Sequence, residues 1–384
     1  MVGLTDPPGA APSTGAQPGR PPAGGPTLEG MGGWPSVLAR LVAGQSLSVT
    51  EAEAVIGQVL EGAATPAQVA AFVTALRVKG ESVEEMTGFV RSMLAHAEPF
   101  PLDPELSDQL VDVVGTGGDR LASINVSTLA ALIAAGAGAP VCKHGNRAAS
   151  SSVGTADVLE SLGVAVDLGP AGVTRCIAEA GMGFCFAPRF HPAMRYAGPV
   201  RRELGIPTVF NFLGPLANPA RTRRQLVGVS EPAMAPTMAG VLGANGSRRA
   251  IVAYADDGLD ELSVTTPSTV LEVTGAGDGE DFEVRTWRLD PADLGFSPAS
   301  MEDLRGGNAE FNAAIIRRVL DGERSARRDI GLLNAAAALL VAGRADDLAD
   351  GVARAADAVD SGRALAVLET LVRVSSQAAA AEGA

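Results

Sequence analysis

The chain has 384 residues, 46% of them hydrophobic, and a formal net charge of −14. That length and apolar content allow one large domain plus a smaller one, and the acidic balance excludes a broad nucleic-acid surface. Cys142, Cys176 and Cys185 have no paired spacing and sit in apolar surroundings, which excludes a disulfide framework or a Cys/His metal cluster. No run of about twenty apolar residues offers a membrane span. The Pro/Gly/Ala-rich start lacks the apolar core of a secretory signal, so a cytoplasmic protein is expected.

Residues 1–33 are low in complexity and are expected to be disordered. A helical block follows. Residues 34–42 read as a first helix, and Thr50-x-x-Glu53 as a capping box opening 51–60. Thr65-Pro66 with Gln68 opens a helix to Val78, closed by Gly80. Ser82-x-x-Glu85 opens another, ending near residue 97. Pro99, Pro101 and Pro104 then mark a boundary, giving a small all-helical domain over 34–105.

Beyond it, apolar runs alternate with helical patterns. Strands are expected at 110–114, 139–142, 164–167, 183–187, 226–229, 250–254, 269–273 and 282–287. Helices are expected at 155–162, 172–180, 233–242, 311–320, 329–342, 346–361 and 362–372. The alternation predicts an α/β domain over 106–374, with a mainly parallel central sheet flanked by helices. The last two strands read as an edge hairpin joined by 275–281, and residues 375–384 as a frayed tail. Residues 190–219 are irregular and rich in Pro and Gly.

One stretch organises the rest. The first strand stops at Gly115-Thr116-Gly117-Gly118-Asp119, where the glycines leave backbone N–H groups free to close on an anion. Asn125-Val126-Ser127-Thr128 precedes a helix that Ser127 or Thr128 would cap, and helix N-termini bind phosphate. The next strand delivers Lys143-His144-Gly145-Asn146-Arg147. Strand, glycine loop, helix, strand and basic loop together predict a phosphorylated ligand at the carboxyl edge of a parallel sheet. The glycine cluster is neither a Walker A loop nor the dinucleotide pattern. Asp256-Asp257-Gly258-Leu259-Asp260-Glu261 follows the 250–254 strand. Paired carboxylates with phosphate oxygens and water suit octahedral Mg²⁺, and no accompanying histidine suggests zinc. The plainer alternatives are a tight turn, a solvated basic pair and a solvated acidic loop.

From about residue 34 to 374 the chain resembles the anthranilate phosphoribosyltransferases, through Gly115–Asp119, Asn125–Thr128 and Lys143–Arg147. The resemblance implies transfer of the phosphoribosyl group of phosphoribosyl pyrophosphate to the amine of anthranilate, in tryptophan biosynthesis. It also implies a nucleoside phosphorylase-type fold, helices within 190–217 that rejoin the helical domain as hinges, and a homodimer. Carried over residue by residue, it assigns phosphoribosyl pyrophosphate to Gly115, Gly118, Asp119, Ser123, Asn125, Val126, Ser127, Thr128, Lys143, His144, Gly145, Asn146, Arg147, Ala148, Ala149, Ser150, Ser151 and Thr155. Thr155 alternatively caps its helix. Anthranilate falls to Gly115, Asn146 and Arg201, Arg201 taking the carboxylate while Arg202 faces away. Mg²⁺ falls to Ser127, Asp260 and Glu261, and Lys143 joins the two acids as catalytic. His144 shapes the surroundings of the amine. Arg120 departs from the family, where a small residue is common. A phosphorolytic enzyme of the same fold and a nucleic-acid-binding relative remain as alternatives. Lys143–Arg147 favours the anthranilate branch over the first, and Asp260-Glu261 with the acidic balance disfavours the second.

Overall fold

The computed structural model describes residues 25–100, 102–119, 121–148 and 153–383. The helical module comprises α1 (Gly33–Val42), α2 (Val49–Leu60), α3 (Pro66–Lys79) and α4 (Val83–Ala95). Thr65–Gln68 and Ser82–Glu85 form the expected capping boxes. The box opening α2 is Ser48–Glu51, two residues before the expected Thr50–Glu53. Both registers fit the pattern. Glu51 prevails because its carboxylate accepts the Ser48 N–H at 2.9 Å and also pairs with Arg40 at 2.6 Å. Edge-to-face contacts of Phe72 with Trp34 and Phe89 anchor the module's interior. Residues 25–32 belonged to the expected tail but form turns, and Leu28 and Met31 pack on this core. The rest of that tail, 1–24, lies outside the described residues.

The α/β part begins with α5 (Pro104–Gln109), β1 (Val111–Gly115), α6 (Val126–Gly136), β2 (Val141–Gly145), α7 (Thr155–Ser161), α8 (Pro170–Ala180) and β3 (Met182–Phe186). It continues through α9 (Ala187–Phe190), α10 (Gly198–Leu204), α11 (Phe210–Leu216), β4 (Arg224–Gly228), α12 (Ala235–Ala244) and β5 (Arg249–Ala255). It closes with β6 (Ser268–Gly275), β7 (Phe282–Leu289), α13 (Ala309–Leu320), α14 (Ala326–Ala342), α15 (Leu348–Asp360) and α16 (Arg363–Glu382). The seven strands lie in the order β3-β2-β1-β4-β5-β6-β7. The first five run parallel, while β6 and β7 form the antiparallel edge hairpin. The central strands are buried on both faces, which is why they read as unbroken apolar runs.

Two expectations fail here. Residues 164–167 form no strand. Val164 and Val166 are buried by helices instead, and the Ala165 N–H goes to the Ser375 hydroxyl rather than to a ladder. The supposed frayed tail is the last turns of α16. Its Glu382 carboxylate accepts the Gly169 N–H at 2.8 and 3.1 Å.

The sheet buries its faces in two cores. One face packs against α6, α8, α14 and α16. The other carries Val114, Val227 and Val252 into a core shared with α12, α11 and the helical module. The module is thus continuous with the sheet, and Arg77–Glu231 at 2.7 Å ties α3 across the join. The irregular 190–219 stretch supplies α10 and α11, and Val200, Phe212 and Leu213 bury into that same core.

Candidate active site

β1 and β4 end side by side at Gly115 and Gly228. A methyl on Gly115 would stand 2.6 Å from an Asp260 carboxylate oxygen, and one on Gly228 would collide with the Asp260 carbonyl. Two glycines at the carboxyl edge therefore let the loop after β5 cross the strand ends. Gly117 and Gly118 have φ of 66° and 88°, which glycine adopts without strain. The Gly117 N–H donates to the Asp260 carboxylate at 2.6 Å, so that amide of the glycine loop is used by the protein's own acid. Ser230 fastens the loop, donating its hydroxyl to the Gly117 carbonyl at 2.7 Å. Asp119 accepts the Leu121 N–H at 3.2 Å, an Asx turn, and its charge reaches Asp260.

The helix after the loop starts earlier than expected. Asn125 is its N-cap position with no side-chain cap, and Ser127 and Thr128 lie inside the first turn rather than capping it. The Ser127 N–H bonds to Glu261. Asn125 accepts from Asn312 at 2.9 Å and donates to the Val153 carbonyl at 3.4 Å. Val126 is buried, and the buried Thr128 hydroxyl has no hydrogen-bond partner among the described residues. Ser123 bridges to Arg305 and donates to the Ile124 carbonyl.

Lys143 is not at the surface. It is 1% exposed, and its ammonium donates to the Val113 carbonyl and, at 3.1 Å, to the Ser127 hydroxyl. Burial lowers its pKa, opposed by Asp112, Glu261 and Asp260. Burial likewise pushes Asp260 up to about 8, with Asp119 adding to the rise and the Gly117 amide opposing it. Glu261 is pushed well above its usual range by burial and by Asp260. Two adjacent buried acids whose ionised forms are strained, beside a serine hydroxyl, form a hard-oxygen set that suits Mg²⁺. Among the described residues no three His, Cys, Asp or Glu side chains complete a metal cage. The arrangement thus fits an ion that draws its other ligands from substrate and water. Asp256 and Asp257 are spent elsewhere: Asp256 pairs with Arg288, and Asp257 accepts from the Leu259 N–H and the Ser263 hydroxyl.

At the end of β2, Gly145 passes close to Thr155. Thr155 is the first residue of α7 and Gly154 its N-cap, so Thr155 does not cap its helix. Asp157 accepts the Ala148 and Gly154 N–H groups at 3.2 and 2.9 Å, and Asn146 accepts the Arg147 N–H at 2.7 Å. The Arg147 guanidinium turns to α7, binding Glu160 at 2.5 and 2.7 Å and Asp157 at 3.1 Å. Ala149, Ser150 and Ser151, like Arg120, lie outside the described residues. His144 is buried with its Nδ1 3.1 Å from the Gly214 carbonyl and its ring 5.2 Å from His191. Burial first, then His191, pushes its pKa down to about 3, so it is neutral at physiological pH.

The His144–Gly214 bond fixes α11 over the end of β2. At the start of α11, Phe210 lies under the Arg201 guanidinium, 5.6 Å from ring centroid to carbon. Among the described residues Arg201 has no ion-pair partner, its pKa is lowered by burial, and it sits half-buried; Arg202 is exposed. Sequence reasoning missed Gly228, Asp112 and Asn312. Gly228 carried a readable signal, a glycine ending an apolar strand. Asp112 accepts the His144 N–H at 3.0 Å from within an apolar run, and only the ladder reveals why.

Residues 107–365 match the glycosyl transferase family a/b domain, and residues 35–97 match that family's helical bundle domain. Fold and site thus define a two-module glycosyl transferase. A relative from Thermomicrobium roseum, named anthranilate phosphoribosyltransferase, is 53% identical and covers 90% of this chain and 98% of its own. Another so named, from Rhodococcus jostii, is 51% identical over 87% of this chain and 91% of its own. The crystal structure of the Thermus thermophilus enzyme aligns with a TM-score of 0.81 at 40% identity, over 88% of this chain and 99% of that one. The Saccharomyces cerevisiae enzyme, solved in complex with PRPP and Mg, aligns at 0.79 and 28%, over 90% and 98%. The chain belongs to the anthranilate phosphoribosyltransferase family.

Proposed function

We propose that this chain transfers the phosphoribosyl group of phosphoribosyl pyrophosphate to the amine of anthranilate, releasing N-(5-phosphoribosyl)anthranilate and pyrophosphate, in tryptophan biosynthesis. The observation that carries the reading is the buried Asp260–Glu261 pair, held at the carboxyl edge by the Gly117 and Ser127 amides beside Lys143. Asp260, Glu261 and the Ser127 hydroxyl would hold Mg²⁺, which supplies positive charge against the departing pyrophosphate.

The chain's own groups do the rest. Lys143 adds a fixed cation behind the first turn of α6, in a buried setting where charge acts strongly. Gly115, Gly118 and Asp119 bring bare backbone against the ribose end, and Ser123, Asn125, Val126 and Thr128 face the phosphates. The Thr128 hydroxyl is buried and unbonded, free to take a phosphate oxygen. Gly145, Asn146, Ala148 and Thr155 complete the cradle, with the Ala149–Ser151 stretch assigned by resemblance. Arg147 reaches a diphosphate only by releasing Glu160 and Asp157, so it serves chiefly to order the loop.

The anthranilate carboxylate takes the Arg201 fork, near Gly115 and Asn146. As the bond from C1 to the pyrophosphate oxygen breaks, the amine nitrogen attacks C1 from the opposite face and inverts it. An aromatic amine is largely unprotonated at neutral pH, and the nitrogen, made strongly acidic once bonded to C1, gives its extra proton to water, so no strong base is needed and neutral His144 shapes the wall. Positioning supplies much of the rate.

The enzyme acts as a cytoplasmic homodimer. Val42 of α1 and Val78 of α3 are 80% and 83% exposed, supporting an interface on the helical module. Among the described residues no helix is long and apolar enough to cross a membrane. Incubation with anthranilate, phosphoribosyl pyrophosphate and Mg²⁺ is expected to extinguish anthranilate fluorescence, with all three required. Unchanged fluorescence, with phosphorolysis of a pyrimidine nucleoside instead, would overturn the reading.

A further inference from the structure

A cavity of about 400 Å³ lies away from the carboxyl edge. It opens at the opposite end of the parallel strands. The start of β4, the end of α4, the end of α12 with the turn that follows it, and the tip of the β6–β7 hairpin meet there. Arg91, Arg221 and Arg223 line it with one acidic residue, Asp278, and Glu53 stands 3.9 Å from the Arg91 guanidinium. Asp278 is turned to its own loop, accepting the Glu280 and Asp281 N–H groups.

Two polar groups in the wall have no partner among the described residues. Thr222 is 7% exposed and its hydroxyl makes no hydrogen bond. The Asn245 amide oxygen accepts from Arg91 Nε at 3.1 Å, which fixes the amide's orientation and leaves its buried NH₂ unbonded. Burying a donor unpaired costs roughly 1–3 kcal/mol, and a fold retains such groups when something else pairs them. The wall is rigidly held. Arg91 and Arg221 each also bond a main-chain carbonyl, Ala244 and Leu94, and Arg221 occupies a left-handed φ of 53°. Arg223 stands 4.0 Å from Asp108, whose carboxylate is already taken by Arg248 at 2.5 Å.

We infer that this cavity is a second, non-catalytic site for a small oxyanionic metabolite, which accepts hydrogen bonds from Thr222 and Asn245 while the arginines neutralise it. Its volume fits a compact metabolite rather than a polymer. Because α4 forms one wall and the sheet the other, an occupant would clamp the helical module to the α/β part.

Inorganic phosphate and malonate are the probes, one for a phosphoryl group and one for a carboxylate. Each is compared with sodium chloride at equal ionic strength by thermal melting of the whole protein and by equilibrium dialysis. At saturation one probe is expected to raise the wild-type midpoint by about 2 °C or more and to bind at one site beyond any at the carboxyl edge. Thr222→Val keeps the shape and removes an unpaired hydroxyl. It should melt no lower than wild type without the probe, lose most of the probe-dependent rise and keep the wild-type rate of anthranilate consumption. Arg221→Ala with Arg223→Ala should abolish the extra site. A wild type that gains nothing over sodium chloride, or a Thr222→Val protein that keeps the whole rise and the extra site, would mean that water alone fills the cavity.

Discussion

The two ends of the parallel strands carry charge in different ways. At the amino end, the arginines that begin the strands are spent. Arg224 donates to the Val341 carbonyl and Arg249 to that of Leu340, serving the C-terminal carbonyls of α14, while Arg249 also pairs with Glu272. At the carboxyl end, Gly115 and Gly228 clear space for Asp260, and Asp260, Glu261 and Lys143 are buried with their charges only partly matched. Charges closed on helix ends hold the fold together. Charges left strained at an edge wait for a ligand. The amino-end cavity is the exception that follows the second rule.

Gly228→Ala attacks the contrast hardest. Its methyl must displace Asp260 from the strand ends, and a misplacement of about 1 Å costs on the order of 10²-fold in rate. Activity should fall at least that far and the Mg²⁺ requirement should rise; a variant with wild-type kinetics would show that Asp260 need not sit there. Glu261→Gln keeps the shape and removes one charge. Steady-state assays should find kcat down by roughly 10²-fold with the fold intact. Unchanged turnover and Mg²⁺ dependence would remove Glu261 from the reaction.

Arg201→Ala should raise KM for anthranilate about ten- to hundredfold and leave that for phosphoribosyl pyrophosphate nearly alone, with Arg201→Lys recovering part of the loss. Arg202→Ala is the control; if it carries the anthranilate effect instead, the register of α10 toward substrate is the opposite one. The buried histidines set an acid limit. The His144 pKa falls to about 3 and that of His191 to about 4, both chiefly through burial, from an ordinary 6.5. The unfolded chain therefore takes up protons first. The histidines' contribution is whole above pH 7 and is lost as pH drops from about 6.5, by on the order of a few kcal/mol at pH 5, while Asp260 and Asp112, raised to about 8 and about 6 by burial, gain stability over the same range and oppose it. His191→Asn should remove one share of the loss, so its melting midpoint should rise relative to wild type as pH is lowered from 7 to 5. Smallest of all, Arg223→Ala at the amino end should change kcat/KM less than about twofold, within the usual range of surface changes.

Much of this was legible before any coordinates. Thr65–Gln68 and Ser82–Glu85 state their helix starts outright, because capping is decided within four residues. Asp260-Glu261 and the segments Gly115–Asp119, Asn125–Thr128 and Lys143–Arg147 were legible as a group, because strand ends gather at one edge. Three things were not. Residues 164–167 have a strand's apolar pattern but pair with α16, and no local signal separates the two. Lys143 reads as a cation that meets the ligand directly, and only the fold reveals that its ammonium lies buried under Val113. Arg147 reads as a phosphate ligand, while its grip on Glu160 depends on where α7 turns.

The shared core between the helical module and the sheet has a consequence for how the chain comes into being. The module leaves the ribosome before the α/β part, yet the apolar face it turns to the sheet has no cover until α11, β4 and α12 are made. Arg77 must wait for Glu231, 154 residues further on. The helical module, residues 33–95, is thus synthesised as an unfinished surface, and the order of synthesis does not match the order in which burial becomes favourable. Closing contacts at such separation is slow, and the interval leaves sticky surface open to neighbours. Changes at Phe212, Leu213 or Met238 should therefore lower the yield of soluble protein before they alter any property of the finished enzyme.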